Sequence, residues 1–174
     1  SMAFDSSNNV YVTGYKRNLL NRKKLKNIKK VYFPNYSKSN NLQTLLSVKH
    51  LLKGDVTCLF ADIVFDTKIL KDIISSNKDI LLSVRRKNIL EDTMRVKFKK
   101  NRISEIGNQI NVNEADGNFI GIAKFSSIGS KVLKKYLRKA KNNNKDYYTK
   151  VLNDIIKNSE IGVHYKSIKN LLWT

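Results

Sequence analysis

Apolar positions along the chain switch repeatedly between a spacing of two and a spacing near 3.6, which predicts strands alternating with helices. The clearest strand is Val56-Thr57-Cys58-Leu59-Phe60-Ala61, an apolar run rich in strand formers and too short for a buried helix. A continuous run of this kind suits a central parallel strand covered on both faces. Residues 9–16 read as a short strand ending at Gly14, and residues 17–30 as a basic helix carrying Leu19, Leu20, Leu25 and Ile28. Val31-Tyr32-Phe33 is a further short strand, halted by Pro34. A helix is expected from Asn40 or Asn41, both suitable N-caps, through Leu51-Leu52. Leu42, Leu45, Leu46 and Val48 form its apolar face, and Gly54 stands at the expected position just past its end.

After the central run, Asp66 or Thr67 caps a helix with Ile69, Leu70, Ile73 and Ile74 on one face. Residues 79–86 form another buried strand. Residues 93–98 and 102–107 alternate about Lys100-Asn101, which reads as a hairpin. A polar loop over 108–118 leads to a strand over 119–125, whose Gly121 implies close approach to the backbone. Helices follow from Ser126 or Ser127 and over 147–157, and a last strand covers 161–168. The alternation predicts an α/β fold: a three-layer, Rossmann-like, mixed and mostly parallel sheet with an inserted β-hairpin. No repeat or long linker divides the 174 residues, a length that suits one domain with a real core.

Charge widens the list of partners without deciding among them. With 34 Lys and Arg against 14 Asp and Glu, the net charge of +20 favours polyanions. The basic residues are spread along the whole chain, Lys and Asn are abundant together as A/T-rich codons would make them, and the aromatics form no clustered stacking platform. Solvated surface charge is therefore the stronger reading, and a nucleic-acid partner is possible but not favoured. One Cys excludes an intrachain disulfide and any Cys-based zinc site; Cys58, inside the apolar run, reads as a small buried hydrophobe. A reducing, cytoplasmic setting is expected. No apolar stretch approaches the roughly 20 residues of a membrane span, and no signal peptide is visible. Ser1-Met2 reads as a cloning scar outside the fold. His50 and His164 lack partners at metal-ligand spacing. Candidate chemistry begins where the apolar run stops, at Asp62. A carboxylate at the carboxyl end of a buried parallel strand is where an open α/β sheet places its ligand, and such a carboxylate can hold Mg²⁺. The competing reading is an Asp that caps a loop.

Five local patterns, in order, add to this reading: Val10-Tyr11-Val12-Thr13-Gly14-Tyr15-Lys16; Asn40-Asn41 with Thr44; Phe60-Ala61-Asp62-Ile63-Val64-Phe65-Asp66; Arg102-Ile103-Ser104-Glu105-Ile106-Gly107; and Asp116-Gly117-Asn118-Phe119-Ile120-Gly121-Ile122-Ala123-Lys124-Phe125-Ser126. Together they resemble the nucleotidyltransferase family, which joins an NTP to a sugar phosphate or a phosphorylated amino alcohol. The likeness is greatest to the branch containing phosphocholine and aminoalkylphosphonate cytidylyltransferases. The resemblance implies transfer of a nucleotidyl, here cytidylyl, group from an NTP to a phosphorylated small molecule, with Mg²⁺ as cofactor and release of pyrophosphate. By the same resemblance Asp62 holds the metal, Asn41 and Thr44 contact the nucleotide, Asn118 and Gly121 line the acceptor pocket, and Lys124 meets a phosphate as the catalytic cation. The chain departs from the family pattern at Ala61 (Gly in the family), Asn108 (Lys) and Asn118 (Glu). It also shows neither the Gly-rich G-x-G-S/T-R strand and loop that opens the family's domain nor the W-x-E/D-I-D motif that completes the metal site. The sequence thus reads as the middle of such an enzyme. Two alternatives stand beside that reading: a catalytically inactive interaction module of the same fold, and a basic RNA-binding domain.

Overall fold

A computed structural model describes residues 2–4, 9–14, 28–140, 144–158, 161–169 and 171–174. Its longest strand, β8 (Gly117–Phe125), is buried at all nine positions and organises the sheet. Around it stand β1 (Met2–Phe4), β2 (Asn9–Thr13), β3 (Ile28–Tyr32), β4 (Val56–Phe60), β5 (Ile80–Arg85), β6 (Met94–Lys99), β7 (Arg102–Gly107) and β9 (Val163–Ser167). The main path runs β3-β2-β1-β4-β8-β5-β9, and β6 joins β8 and carries β7 on its outer side. Because β8 is antiparallel to both β4 and β5, those two point the same way. The parallel ladders β2–β3 and β5–β9 extend that common direction, so only β1 and β8 run against it on this path. The sheet is mixed with most strands co-directional, as the alternation of elements predicts.

Helices cover both faces. Alternation along β5 sends Ile80, Leu82 and Val84 to one side and Leu81 to the other. On the first side they meet α1 (Asn41–Ser47), α3 (Ser127–Lys139) and α4 (Thr149–Asn158) through Leu42, Leu45, Leu133, Leu137, Val151 and Ile155. On the second, Leu81, Ile120 and Ile122 meet Ile69 and Ile73 of α2 (Thr67–Ile74). The caps are those the sequence offers: the Asp66 carboxylate accepts from the Lys68 N–H at 2.8 Å, and the Ser126 hydroxyl accepts from the Gly129 N–H at 3.1 Å. Lys100 and Asn101 both take positive φ, 48° and 59°, the backbone of a two-residue hairpin turn. Among the described residues no helix is long and apolar enough to cross a membrane.

Several expectations are corrected. The apolar run 56–60 is central but pairs antiparallel on both sides, with β1 and β8. Burial on both faces makes a strand uniformly apolar whatever the direction of its neighbours, so the pattern could not specify that direction. Met2, set aside as a scar, pairs with Phe60 in β1. The basic helix expected over 17–30 cannot reach its end, since residues 28–30 belong to β3; residues 15–27 lie outside the described residues. The helix expected to reach Leu52 stops at Ser47. Val48 leaves helical geometry (φ −112°, ψ 10°), and residues 49–51 form a separate 3-10 turn. Gly54, at φ +67°, serves the turn into β4 instead of the end of α1.

Candidate active site

The sheet forks at the middle of β8. Along one edge of β8, β4 pairs with residues 122–125 and ends its ladder at Leu59–Ile122. On the same edge β6 pairs with residues 117–119, starting at Met94–Phe119. The other edge is occupied by β5, which pairs with residues 123–125 and 118–119 on either side of a register shift. Ile120 and Gly121 therefore face a gap where two strands diverge. A cavity of ≈370 Å³ opens beside it, lined among others by Asn41, Phe60, Asp62, Asp92, Phe119 and Trp173. It lies beyond the carboxyl end of β4, the ligand side of an open α/β sheet.

Three elements deliver its polar groups. Asp62 follows β4 directly and is exposed to the cavity. Asp92 comes from the loop between β5 and β6, which buried side chains hold in place. Asn118, fully buried, accepts from the Leu90 N–H at 3.0 Å and the Thr93 hydroxyl at 2.9 Å, and donates to the Asn88 carbonyl at 2.9 Å. Arg95, 7% exposed, donates to the carbonyls of Leu90, Glu91, Asn108 and Ile110. Neither Asp62 nor Asp92 forms an ion pair with a described residue. In a chain with 34 cationic side chains to 14 acidic ones, two unpaired acids on one cavity leave negative charge there for a cation to offset. The third element is the segment 171–174. It pairs with residues 64–66 through the Phe65–Trp173 bridge and the Val64–Thr174 hydrogen bonds of 2.9 and 3.0 Å. That pairing brings Trp173 to the cavity, where its indole N–H is buried without a partner among the described residues.

The floor is aromatic. Phe60, Phe119 and the buried Tyr148 meet edge to face at centroid distances of 5.8, 6.0 and 6.3 Å. Burial pushes the Tyr148 hydroxyl well above its ordinary pKa, so it stays neutral. Asn41 ties the site to α4: its Oδ1 accepts from the Tyr148 N–H at 2.8 Å, while Asn40 donates to the Lys145 carbonyl at 2.7 Å.

Of the residues expected at a site, the structure brings Asp62 and Asn41 together on the cavity and sends the others elsewhere. Thr44 lies one turn further along α1 and does not line it. Asn118 faces the 88–93 loop, where its Oδ1 accepts two hydrogen bonds and its Nδ2 donates one. Gly121 is needed for packing: at φ +84° a Cβ would stand 2.6 Å from the Phe60 ring, so what approaches its backbone is Phe60. Lys124 pairs with Thr57 near the start of β4, at the opposite end of that strand from Asp62. It is 5% exposed, and its Nζ donates to the carbonyls of Ser76 at 2.9 Å and Lys78 at 3.2 Å. A phosphate at the cavity is out of its reach, so the expected catalytic contact does not fit this placement. Sequence reasoning missed Asp92. The signal available was its place after the carboxyl end of β5, a strand co-directional with β4.

No protein-family model matches the chain. No curated protein matches its sequence. Its fold, however, matches solved structures. The inositol-1-phosphate CTP transferase from T. maritima superposes with a TM-score of 0.77 at 18% identity, over 95% of this chain and 68% of that one. The CTP:phosphocholine cytidylyltransferase from Streptococcus pneumoniae gives 0.72 at 16%, over 94% and 70%. A UDP-glucose pyrophosphorylase complexed with UDP-glucose gives 0.66 at 16%, over 92% and 73%. The chain thus has the nucleotidyltransferase fold, with its cavity where the central sheet forks past Asp62.

Proposed function

We propose that this chain acts as a nucleotidyltransferase, passing a nucleotidyl group from an NTP to a phosphorylated small molecule. The carrying observation is a pair of carboxylates, Asp62 and Asp92, without an ion-pair partner among the described residues, on one cavity at the fork of a sheet with this fold. CTP is the favoured donor, because two structural neighbours act on CTP by name. The lone, unbridged Cys58 suits a cytoplasmic setting.

Among the described residues no cluster of three or more metal-ligating side chains exists. Mg²⁺ does not require one, since it commonly binds through one or two carboxylates with substrate phosphates and waters completing its shell. Asp62 and Asp92 fit that mode, and the ion would offset the charge of the triphosphate. The chain's own groups do the positioning. Asn41 offers the amide N–H₂ that its Oδ1 contact leaves free among the described residues, and the Trp173 ring borders the same cavity. Phe60 and Phe119 give one apolar wall against which a base or acceptor packs. In the reaction an acceptor phosphate oxygen bonds to the α-phosphorus. The bond from that phosphorus to its bridging oxygen breaks, and pyrophosphate leaves with the electron pair. Such a transfer depends on alignment and charge neutralisation more than on a proton-transfer residue.

The test is pyrophosphate release from CTP with Mg²⁺ and a panel of acceptors: phosphocholine, inositol 1-phosphate and glucose 1-phosphate. Release is expected with at least one acceptor, reduced about 10²-fold or more by Asp62→Asn. Full activity in that variant would overturn the site. CTP binding without release from any acceptor would favour the inactive-module reading.

A further inference from the structure

At the other end of the sheet, a groove of ≈540 Å³ lies between the end of α2, the β6–β7 turn and the edge strand β9. We propose that this groove binds the phosphates of a polyphosphate-bearing ligand, at a site separate from the fork cavity. Lys78, Lys100, Arg102 and Lys166 line it together with His164, against a single acid, Asp72. Asp72 is already shared, at 3.6 Å from Lys68 and 3.9 Å from Lys166. Lys78, Lys100 and Arg102 form no ion pair with any described residue. Gathering like charges around a concavity is unfavourable unless an anion offsets them, so the arrangement itself favours a ligand of high negative charge.

The groove is built, which distinguishes it from diffuse surface charge. The Arg102 side chain lies over Gly162, with the place of a Cβ there 2.7 Å from its Nε. Lys100 projects from the two-residue turn with both central φ angles positive, a backbone with little freedom. Lys78 leaves a turn whose carbonyls at Ser76 and Lys78 are pinned by the buried Lys124. A guanidinium fork suits two phosphate oxygens, and the ammonium groups add point charge around it. The phosphates can belong to a small molecule or to a nucleic-acid backbone, and the chemistry of the groove is the same for both.

Binding of inorganic tripolyphosphate and of a single-stranded RNA oligonucleotide to the full chain, by calorimetry at 150 mM salt, tests the proposal. Saturable binding of at least one is expected, weakened about tenfold or more by Lys100→Ala/Arg102→Ala. Tripolyphosphate binding alone identifies a small polyphosphate as the source. RNA binding that tripolyphosphate displaces identifies a nucleic-acid backbone. A matched loss of two charges on the exposed face of α3, Lys131→Ala/Lys135→Ala, should change affinity less than about twofold. The ring resonances of His164, between Lys78 and Arg102, should shift on titration while those of the exposed His50 do not. Binding of neither probe overturns the proposal. So does an equal effect of the α3 pair, which would mark the attraction as general surface charge, or an unmoved His164.

Discussion

Replacing Gly121 with alanine tests whether the cavity floor is set by backbone geometry. At φ +84° an L-residue is held in a sparsely populated conformation, at a cost of about 1–3 kcal/mol. The new Cβ would also stand 2.6 Å from Phe60 Cδ2 and 2.8 Å from its Cγ, contacts that only displacement of the ring relieves. Phe60 meets Phe119 and Tyr148 edge to face but also borders the cavity, so its displacement falls at the low end of overpacking, about 1 kcal/mol more. The sum, roughly 2–4 kcal/mol, is a large fraction of the 5–15 kcal/mol typical of a domain. Urea unfolding measures it directly. Phe60→Leu on the Gly121→Ala background should return the steric share and leave the backbone share, a separation read from a double-mutant cycle. A Gly121→Ala loss below about 0.5 kcal/mol, within the range of neutral surface changes, would refute the assignment of Gly121 to packing.

Other consequences follow from burial and charge. Trp173 is the only tryptophan and lines the cavity, so CTP with Mg²⁺ should change intrinsic fluorescence, and Trp173→Phe should abolish the signal; a silent titration under conditions of proven binding would place the nucleotide elsewhere. Burial pushes the Cys58 thiol far above its ordinary pKa, so a thiol reagent should leave the native protein unlabelled and react fully in denaturant; fast native labelling would contradict its place in the core. Desolvation first, then Lys78 and Arg102, hold the His164 pKa below the unfolded value near 6.5. The unfolded state then binds the extra proton, so stability is complete above about pH 6.5 and falls as pH drops through the folded value. His164→Gln should flatten that slope, measured as urea midpoint against pH, and an unchanged slope would assign it to other groups.

Much of the fold was legible because local signals agreed. Asp66, Ser126 and the Lys100-Asn101 turn stand where capping and turn chemistry put them, and the apolar face of α2 follows its spacing. Strand direction was not legible, since an all-apolar strand such as β4 carries no record of how its neighbours run. The early end of α1 was hidden because Leu51 and Leu52 continue the helical spacing after the backbone has left the helix. That Asp62 and Asn41 reach one cavity was findable from their positions at element ends. Lys124 and Gly121 were misleading for a shared reason: a buried lysine that satisfies backbone carbonyls, and a glycine that makes room for a ring, look in sequence like groups awaiting a ligand. Asp92 escaped because its loop is positioned by Asn118 and Arg95, long-range contacts that no local pattern announces.

In the proposed site Asp62 and Asp92 act together on a nucleotide in the fork cavity. Calorimetric titration of CTP with Mg²⁺ into the wild-type chain and into Asp62→Asn/Asp92→Asn addresses this most directly. Both residues are exposed and form no ion pair with a described residue, so the double variant should keep wild-type urea stability within about 0.5 kcal/mol. Mg²⁺-dependent binding should be weakened at least about tenfold in that folded variant. Equal affinity in the two proteins would contradict the proposed site.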